Sequence, residues 1–335
     1  MKMRLKYSII ALAAAMTLAC CTEENGGSDL VRLAPSGISG SSIVVTRAAE
    51  YTNFNPTDGF TMGVFWKSSS AESTPCRAQG QFTFKDSIWS SDVRLKKTEY
   101  DIFVYSPKND SATFYPDSNK LVLPAMTVSA HDVLVADGLN GKGKGVSVGN
   151  YSYTLAADKK DFDADQIPTD SIDLKMSHLF SKLTVKIAVC SEYDSLRTVH
   201  INKVELGSDK SAKATVMFSD SGAVVRWSDW KTLSKMDWAV APSDSGLYLN
   251  TDYQTYGSAY MLPEVLSGKQ NLSLRVTYDV YDKAEKKIRS ANVAENKLTI
   301  EDVTLESGKN YIKKILIEPS YLGRLSDNDE PTLKF

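Results

Sequence analysis

The stretch LTVKIAV, residues 183–189, alternates in character with a period of two. Leu, Val, Ile and Val fall on one side of an extended chain, whereas Thr, Lys and Ala fall on the other. The same alternation returns in LSLRVTYDV, residues 272–280, where every second residue is apolar. Both stretches are typical of β-strands with one buried face.

Many further segments have the short length and the β-branched or aromatic composition of strands. They are Phe60–Trp66, Gln81–Phe84, Tyr100–Tyr105, Val133–Ala136, Val199–Leu206, Ala214–Phe218, Ala223–Trp227 and Tyr311–Ile317. Turn-forming sequences such as PDSN, residues 116–119, separate them. Many short strands joined by polar turns predict an all-β chain built from antiparallel β-sandwiches.

The length of the chain predicts two domains. At 335 residues, it exceeds the usual size of one domain, which is roughly 100–200 residues. The strand pattern lapses between residues 138 and 170 into glycine-lysine repeats and an acidic stretch. We therefore predict an N-terminal sandwich over 42–170 and a C-terminal sandwich over 171–335.

The charge of the chain limits the classes of partner. Charged residues make up 24% of the sequence, and the formal net charge is −2. Such a balance gives no electrostatic attraction to nucleic acid or to an anionic membrane. We expect no nucleic-acid partner, and we expect contacts with neutral surfaces or with other copies of the chain.

The N-terminus is typical of an export signal. Lys2, Arg4 and Lys6 precede an apolar run over residues 7–19, which is too short for a stable membrane span. The sequence therefore predicts a signal peptide over residues 1–20, and we expect its apolar run over residues 7–19 to be removed on export.

The run ends in TLACC, residues 17–21, which resembles the lipobox of lipoproteins, where a cysteine thiol accepts diacylglycerol. Cys20 follows the small Ala19, whereas Cys21 has Leu18 three residues before it. We take Cys20 as the lipidation site and Cys21 as its alternative; a plain secretory signal cut near Ala19 is a second interpretation. The acidic, glycine-containing sequence that follows predicts a flexible tether over 21–41, and it resembles the surface-export signal of lipoproteins in gut and oral anaerobes.

Two cysteines, Cys76 and Cys190, remain in the predicted mature chain. They can pair in an oxidising compartment. Their wide separation and unlike surroundings are equally typical of two buried thiols. The sequence leaves both arrangements open.

The residues that usually carry catalysis do not form a recognisable pattern. The histidines His131, His178 and His200 lack metal-ligand spacing, and there is no Gly-x-Ser-x-Gly elbow or phosphate loop. We expect no enzyme activity, no cofactor and no metal. Trp227 and Trp230 lie three residues apart near a turn, where exposed rings can stack on sugars, although core packing is the favoured interpretation.

Several phrases of the sequence resemble a known family. The segment SHLFSKLTVKI, residues 177–187, resembles the His-x-x-Ser-Lys-Leu-Thr-Val signature of fimbrillin-like lipoproteins. Further phrases of that family are similar to DVLVA (132–136), YMLP (260–263), GKNY (308–311) and TRA (46–48) followed by GVF (63–65). The phrases occur in the family's order behind a lipoprotein signal and span nearly the whole chain.

The resemblance implies a subunit of a type V pilus with two transthyretin-like β-sandwich domains in tandem. In stalk members of that family, an arginine-specific protease removes the first strand with its lipid, and the C-terminal segment of a neighbouring subunit fills the groove. Carried onto this chain, Ile43–Thr46 lie in the strand to be lost and Arg47–Ala48 is the bond to be cut. Gly323–Phe335 contain the donor strand, whose last residues are Pro331, Thr332, Leu333, Lys334 and Phe335.

The resemblance also implies partners and a location. The partners are other pilin subunits, outer-membrane lipid and a host glycan or protein, and the location is the outer membrane and the cell surface. The family includes anchor and tip subunits that keep their lipid or lack a donating tail, and Arg32–Leu33 is another bond that a protease can reach in an exposed leader. The alternative function is a surface glycan-binding lipoprotein of a polysaccharide-uptake system, with an exposed patch of Trp and Tyr.

Overall fold

A computed structural model of the chain describes residues 30–40, 49–50, 56, 58–68, 79–96, 100–140, 150–151, 169–219, 222–243, 246–263, 272–298, 305–319 and 331–334. These residues are almost entirely strands and turns, which confirms the predicted all-β class. Within them, the helical elements are α1 (Ser191–Leu196) and a 3-10 helix (Pro116–Ser118).

The first sheet has nine strands in the order β5-β4-β3-β7-β10-β12-β1-β6, with β11 paired to β7. Its strands are β1 (Leu30–Gly40), β3 (Phe60–Ser68), β4 (Gly80–Lys85), β5 (Ile88–Ser91), β6 (Arg94–Lys96), β7 (Tyr100–Ser106), β10 (Leu134–Asn140), β11 (Asn150–Tyr151) and β12 (Thr169–His178). The pairs are antiparallel except that β1 runs parallel to β12.

The second sheet has the order β17-β13-β20-β2, with β21 also paired to β20. Its strands are β2 (Ala49–Glu50), β13 (Ser181–Val189), β17 (Gln254–Met261), β20 (Lys309–Pro319) and β21 (Pro331–Lys334). The third sheet has the order β19-β18-β14-β9-β8, with β15 and β16 paired to β14. Its strands are β8 (Thr113–Tyr115), β9 (Lys120–Met126), β14 (Arg197–Ser219), β15 (Gly222–Val240), β16 (Leu247–Tyr248), β18 (Leu272–Asp282) and β19 (Lys287–Lys297).

The first sheet is buried on both faces because its central strands alternate between two cores. On β7, Ile102 and Val104 face one core, whereas Phe103 and Tyr105 face another, and all four are nearly inaccessible. The second of these cores continues into the third sheet, where Phe103 lies 5.1 Å from the ring of Phe218. Aromatic pairs of this kind each stabilise by about 0.5–1.5 kcal/mol beyond their buried area, so the first and third sheets are firmly packed together.

A separate core lies between the second and third sheets. The predicted apolar face of β13 is fully buried there, since Leu183, Val185 and Ile187 are at most 2% exposed. Leu274 and Val276 of β18 meet them from the third sheet. The two stretches whose alternation predicted the fold therefore face each other across one sandwich.

The sheets do not divide cleanly at the predicted domain boundary. Residue 170 lies inside β12, which pairs with β10 and β1 of the first sheet. In the other direction, β8 and β9 come from the first half of the chain but pair into the third sheet through β14. The division into 42–170 and 171–335, and the count of two tandem domains, stay predictions.

Candidate assembly site

The strand that precedes Arg47 lies in the first sheet. It is β1, Leu30–Gly40, so the predicted flexible tether over 21–41 is wrong for this part. The reason is that β12 offers an edge along which β1 pairs, from Arg32 opposite Thr169 to Gly40 opposite Met176. The predicted strand Ile43–Thr46 lies outside the described residues.

The two halves of β1 are held differently. Leu30–Arg32 pair with Arg94–Lys96 of β6, and Arg32 is paired on both sides because it also lies opposite Thr169 of β12, whereas the rest of the strand pairs with β12. Pro35, which is buried, has no amide hydrogen to donate, and the register shifts between Pro35 and Gly37. The second half of β1 is therefore the weaker half, and it is the half that leads towards Arg47.

Removing β1 would expose the edge of β12. The apolar residues of β12, Ile172, Leu174 and Met176, are buried at 1% exposure or less. In β1, which pairs with β12 along this edge, Ala34 is also buried, at 5% exposure. An edge strand with a fully buried apolar face and free ladder groups is a template for another strand.

The described strands on either side of the predicted cut belong to different sheets. β1 ends at Gly40 in the first sheet, and β2 begins at Ala49 in the second, where Ala49 pairs with Asn310 and Glu50 pairs with Lys309. Arg47 and Ala48 fall in the connection between these two strands, outside the described residues. A cut there would separate β1 from the chain while leaving β2 in its own sheet.

The predicted donor segment is paired with its own chain. Pro331–Lys334 form β21, which runs antiparallel to Leu316–Pro319 at the far end of β20. β2 pairs with the near end of the same strand. The strand after the predicted cut, β2, and the predicted donor tail therefore both pair with β20, although Phe335 lies outside the described residues.

The phrases that carry the family resemblance meet at one junction between the first two sheets. The link from β12 to β13 is held on one side by Leu179, whose amide donates to the carbonyl of Val133 at 2.7 Å. On the other side, the amide of Gly308 donates to the carbonyl of Phe180 at 2.9 Å. The first sequence signature, DVLVA and GKNY are thus neighbours in space, and we call this place the signature junction.

A buried histidine and aspartate lie at the signature junction. Nδ1 of His178 is 2.5 Å from Oδ2 of Asp132, and the two side chains are 4% and 5% exposed. Spacing along the sequence gave no sign of this pair, since the two residues belong to different phrases. A buried polar pair of this kind is typical of a histidine with a structural role.

Burial shifts the pKa of two groups that feel the charge of Asp132. Burial lowers the pKa of Lys182, and the charge of Asp132 opposes that change. Burial raises the pKa of Tyr260, and the charge of Asp132 raises it further. Tyr260, from the phrase YMLP, is bridged to Ser129 by two backbone hydrogen bonds of 2.9 Å.

The other candidate residues are dispersed. His131 is exposed, and its amide donates to the hydroxyl of Ser129. His200 lies on β14 in the third sheet, whereas β12 belongs to the first sheet. Trp227 is only 9% exposed and packs 5.8 Å from the ring of Phe180, whereas Trp230 is 40% exposed. The structure therefore does not bring the two tryptophans together as a flat exposed patch.

Most of the remaining predicted sites lie outside the residues that the structure describes. Cys20, Cys21 and Cys76 are not among the described residues, and Cys190 is a free, half-buried thiol that lies between β13 and α1. Over the described ranges, no group of three or more His, Cys, Asp and Glu side chains is arranged to hold a metal ion. In the same part of the chain, no helix has the length and apolar character needed to cross a membrane.

No protein-family model and no curated protein matches the chain. Among solved structures, the chain is similar to a candidate cell adhesion protein of Bacteroides fragilis, with a TM-score of 0.46 and 10% identity over 91% of this chain and 97% of the other. It is similar to a fimbrial protein of Bacteroides vulgatus, with a TM-score of 0.39 and 12% identity over 83% and 93%. It is also similar to the fimbrial anchor protein Mfa2 of Porphyromonas gingivalis, with a TM-score of 0.30 and 12% identity over 90% and 94%.

Proposed function

We propose that this chain is a structural or adhesive subunit of a cell-surface pilus. It is exported as a lipoprotein, attached through Cys20 or Cys21, and assembled by strand exchange. Its β1 is lost with the lipid after a cut at Arg47–Ala48, and the C-terminal segment of a neighbouring subunit takes its place. The proposal involves no catalysis by this chain.

The observation that carries the proposal is the position of the predicted cut between two sheets. β1 before it belongs to the first sheet, and β2 after it belongs to the second. Cleavage therefore removes one strand and leaves a groove beside β12 without taking away any strand that follows the cut. A donor strand in that groove would satisfy the free ladder groups by β-augmentation.

A second basic bond in the leader is less suited to cleavage. Arg32 is half-buried in the part of β1 that is paired with Thr169 on one side and Arg94 on the other. A protease needs a segment that can leave its hydrogen bonds, so a paired strand is a poor substrate. We therefore expect the cut at Arg47 to precede any cut at Arg32.

The donor tail has to leave its own β20 before it can serve another copy. β21 pairs with β20 over four residues, Pro331–Lys334, so few hydrogen bonds oppose its release. The groove beside β12 offers a longer ladder, because β1 pairs with β12 from Arg32 to Gly40. Exchange between copies thus replaces a short pairing by a longer one, which is favourable.

The experiment is cleavage of the purified precursor by an arginine-specific protease. We expect a shorter species that begins at Ala48 and forms polymers visible by electron microscopy. The variant Arg47→Gln should stay uncut and monomeric, and a variant that lacks residues 323–335 should be cut without polymerising. A precursor cut at another bond first, or one that polymerises equally well without its tail, would contradict the proposal.

The lipid attachment is tested separately. Mass spectrometry of the N-terminal peptide of the membrane-bound precursor should find diacylglycerol on Cys20. If Cys20→Ala abolishes the lipid while Cys21→Ala does not, the preferred site holds. The reverse pattern would assign Cys21, and an unmodified N-terminus near residue 20 would indicate a plain secretory signal.

A further inference from the structure

Three rings form a platform on the outer face of the third sheet. Tyr248 of β16 lies opposite His200 of β14, and their ring centroids are 4.5 Å apart. Tyr281 of β18 is 6.4 Å from Tyr248. The neighbouring Val199 and Ile201 are fully buried, so the rings lie on the solvent side of the sheet. We call these three residues the Tyr248 platform.

Two neighbouring groups hold the His200 ring of the Tyr248 platform in place. Nδ1 of His200 is 2.8 Å from Oδ1 of Asn202. The backbone of Gly246 passes against the other ring nitrogen of His200, where a Cβ atom would clash. The imidazole is therefore fixed on two sides, and Tyr248 rests on a ring that has little freedom to move. Tyr248 itself remains 58% exposed.

Polar groups stand at one side of the platform. Nζ of Lys287 is 5.4 Å from the ring centroid of Tyr281 and 2.8 Å from Oδ2 of Asp279. Burial acts to raise the pKa of Asp279, but hydrogen bonds from Lys287 and from the amide of Ala291 outweigh it and hold the pKa below its usual value. The charges of Lys287 and Asp279 thus cancel, while the ammonium, at 46% side-chain exposure, still has hydrogen-bond donors for a ligand.

Other exposed aromatic side chains of the described residues differ from Tyr248. Tyr115 has Lys120 over its ring at 4.2 Å, and Tyr253 has Lys314 over its ring at 5.1 Å. In those two cases, as for Tyr281 with Lys287 at 5.4 Å, a lysine side chain already lies over a face of the ring. Tyr248 instead continues into two further rings and is the most exposed of these aromatic residues.

We propose that the Tyr248 platform binds a neutral saccharide. A pyranose has C–H groups on its faces that pack on aromatic rings, and hydroxyls around its edge that need hydrogen-bond partners. The exposed ring of Tyr248 supplies the surface for one face of the sugar, and the ring of Tyr281, 6.4 Å away and inclined by 50°, lies beside it. Lys287 supplies hydrogen-bond donors, and the cancelled charge favours a ligand without charge.

This site is independent of strand exchange. The platform lies on β14, β16 and β18 of the third sheet, whereas the proposed groove lies beside β12 in the first. An uncut precursor should therefore bind saccharide as well as the cut form does. Failure of assembly and failure of saccharide binding are distinguishable because Arg47→Gln affects only the first.

The experiment uses the full chain, purified in mild detergent, and a panel of neutral glycans: yeast mannan, galactomannan, xylan and chitin oligomers. Isothermal titration calorimetry should find saturable binding for at least one of them. Tyr248→Ala should weaken that binding by about tenfold or more, which corresponds to about 1.4 kcal/mol. Tyr248→Phe, which keeps the ring, should bind within about threefold of the unaltered chain.

Tyr253→Ala is the matched control, because it removes another exposed tyrosine that lies outside the platform. It should leave saccharide binding unchanged. Circular dichroism and thermal melting should find the same fold in all three variants, since both tyrosines are largely in solvent. Absence of saturable binding to every glycan, or binding that survives Tyr248→Ala unchanged, would overturn the proposal.

Discussion

The buried pair at the signature junction leads to the prediction that depends most directly on the geometry. Asp132→Ala removes the carboxylate that lies 2.5 Å from Nδ1 of His178, in a place where both side chains are at most 5% exposed. A buried polar group that loses its partner costs about 1–3 kcal/mol. We expect the free energy of unfolding of Asp132→Ala to fall by about that amount, measured by urea denaturation with circular dichroism.

Asp110→Ala is the matched control for this prediction. Asp110 also has a basic partner, Lys108, at 2.6 Å, but its side chain is 88% exposed. An exposed ion pair contributes about 0–1 kcal/mol, so this variant should unfold at nearly the same urea concentration as the unaltered chain. The comparison separates the effect of burial from the effect of removing an aspartate.

A double-mutant cycle tests whether the two side chains act as a pair. His178→Ala alone should also destabilise, and the double variant should lose less than the sum of the two single losses. Distant sites add to within about 0.3–0.5 kcal/mol, so a coupling larger than that identifies a direct interaction. If Asp132→Ala is no worse than Asp110→Ala, or if the cycle is additive, the structural role assigned to the junction is refuted.

Three further predictions concern other parts of the fold. Because folding lowers the pKa of Asp279, its carboxylate stabilises the fold at pH values above the unfolded-state pKa of 3.8, and this stability is lost as the pH falls through the lower folded-state pKa. Lys287→Ala removes part of the lowering, so acid unfolding, followed by fluorescence, should begin at a higher pH. Gly63→Ala forces a Cβ into the ring of Tyr105 and should destabilise by about 1–3 kcal/mol in urea denaturation. Trp227→Ala empties a site in the core and should cost about 3–5 kcal/mol, while calorimetry should find saccharide binding unchanged.

The all-β class could be predicted because burial of one face leaves a period-two pattern in the sequence. That pattern is strong in Leu183–Val189 and Leu272–Val280, and both are buried strands. It also exists in β12, where Ile172, Leu174 and Met176 alternate with polar residues. The sequence nevertheless does not predict β12, because the segment follows an acidic, proline-containing stretch that is typical of a linker.

The first strand could not be predicted because its reason to exist is remote in sequence. LVRLAPSGISG, residues 30–40, contains the proline, serines and glycines of a loop. It becomes β1 because β12, more than a hundred residues later, supplies a parallel edge. Local propensity is a weak guide where long-range pairing decides the conformation.

Long-range pairing also explains two other departures from the predicted pattern. Val199–Leu206 and Ala214–Phe218 were predicted as two strands, but they belong to β14, which continues through register shifts after Ser208 and Ser211. The His178 and Asp132 pair is likewise formed by residues from different strands and connections. A single sequence carries no signal for either arrangement.

The central claim is that β1, which precedes Arg47, pairs along the edge of β12, and that the C-terminal tail of another copy can take the place of β1 there. Hydrogen exchange with mass spectrometry on β12, Thr169–His178, tests it most directly. In a chain that lacks residues 323–335, we predict that the β12 amides facing β1 are protected before cleavage and exchange rapidly after it. A synthetic peptide of residues 323–335 should then restore their protection. Amides that stay protected after cleavage, or that the peptide fails to protect, would contradict the account.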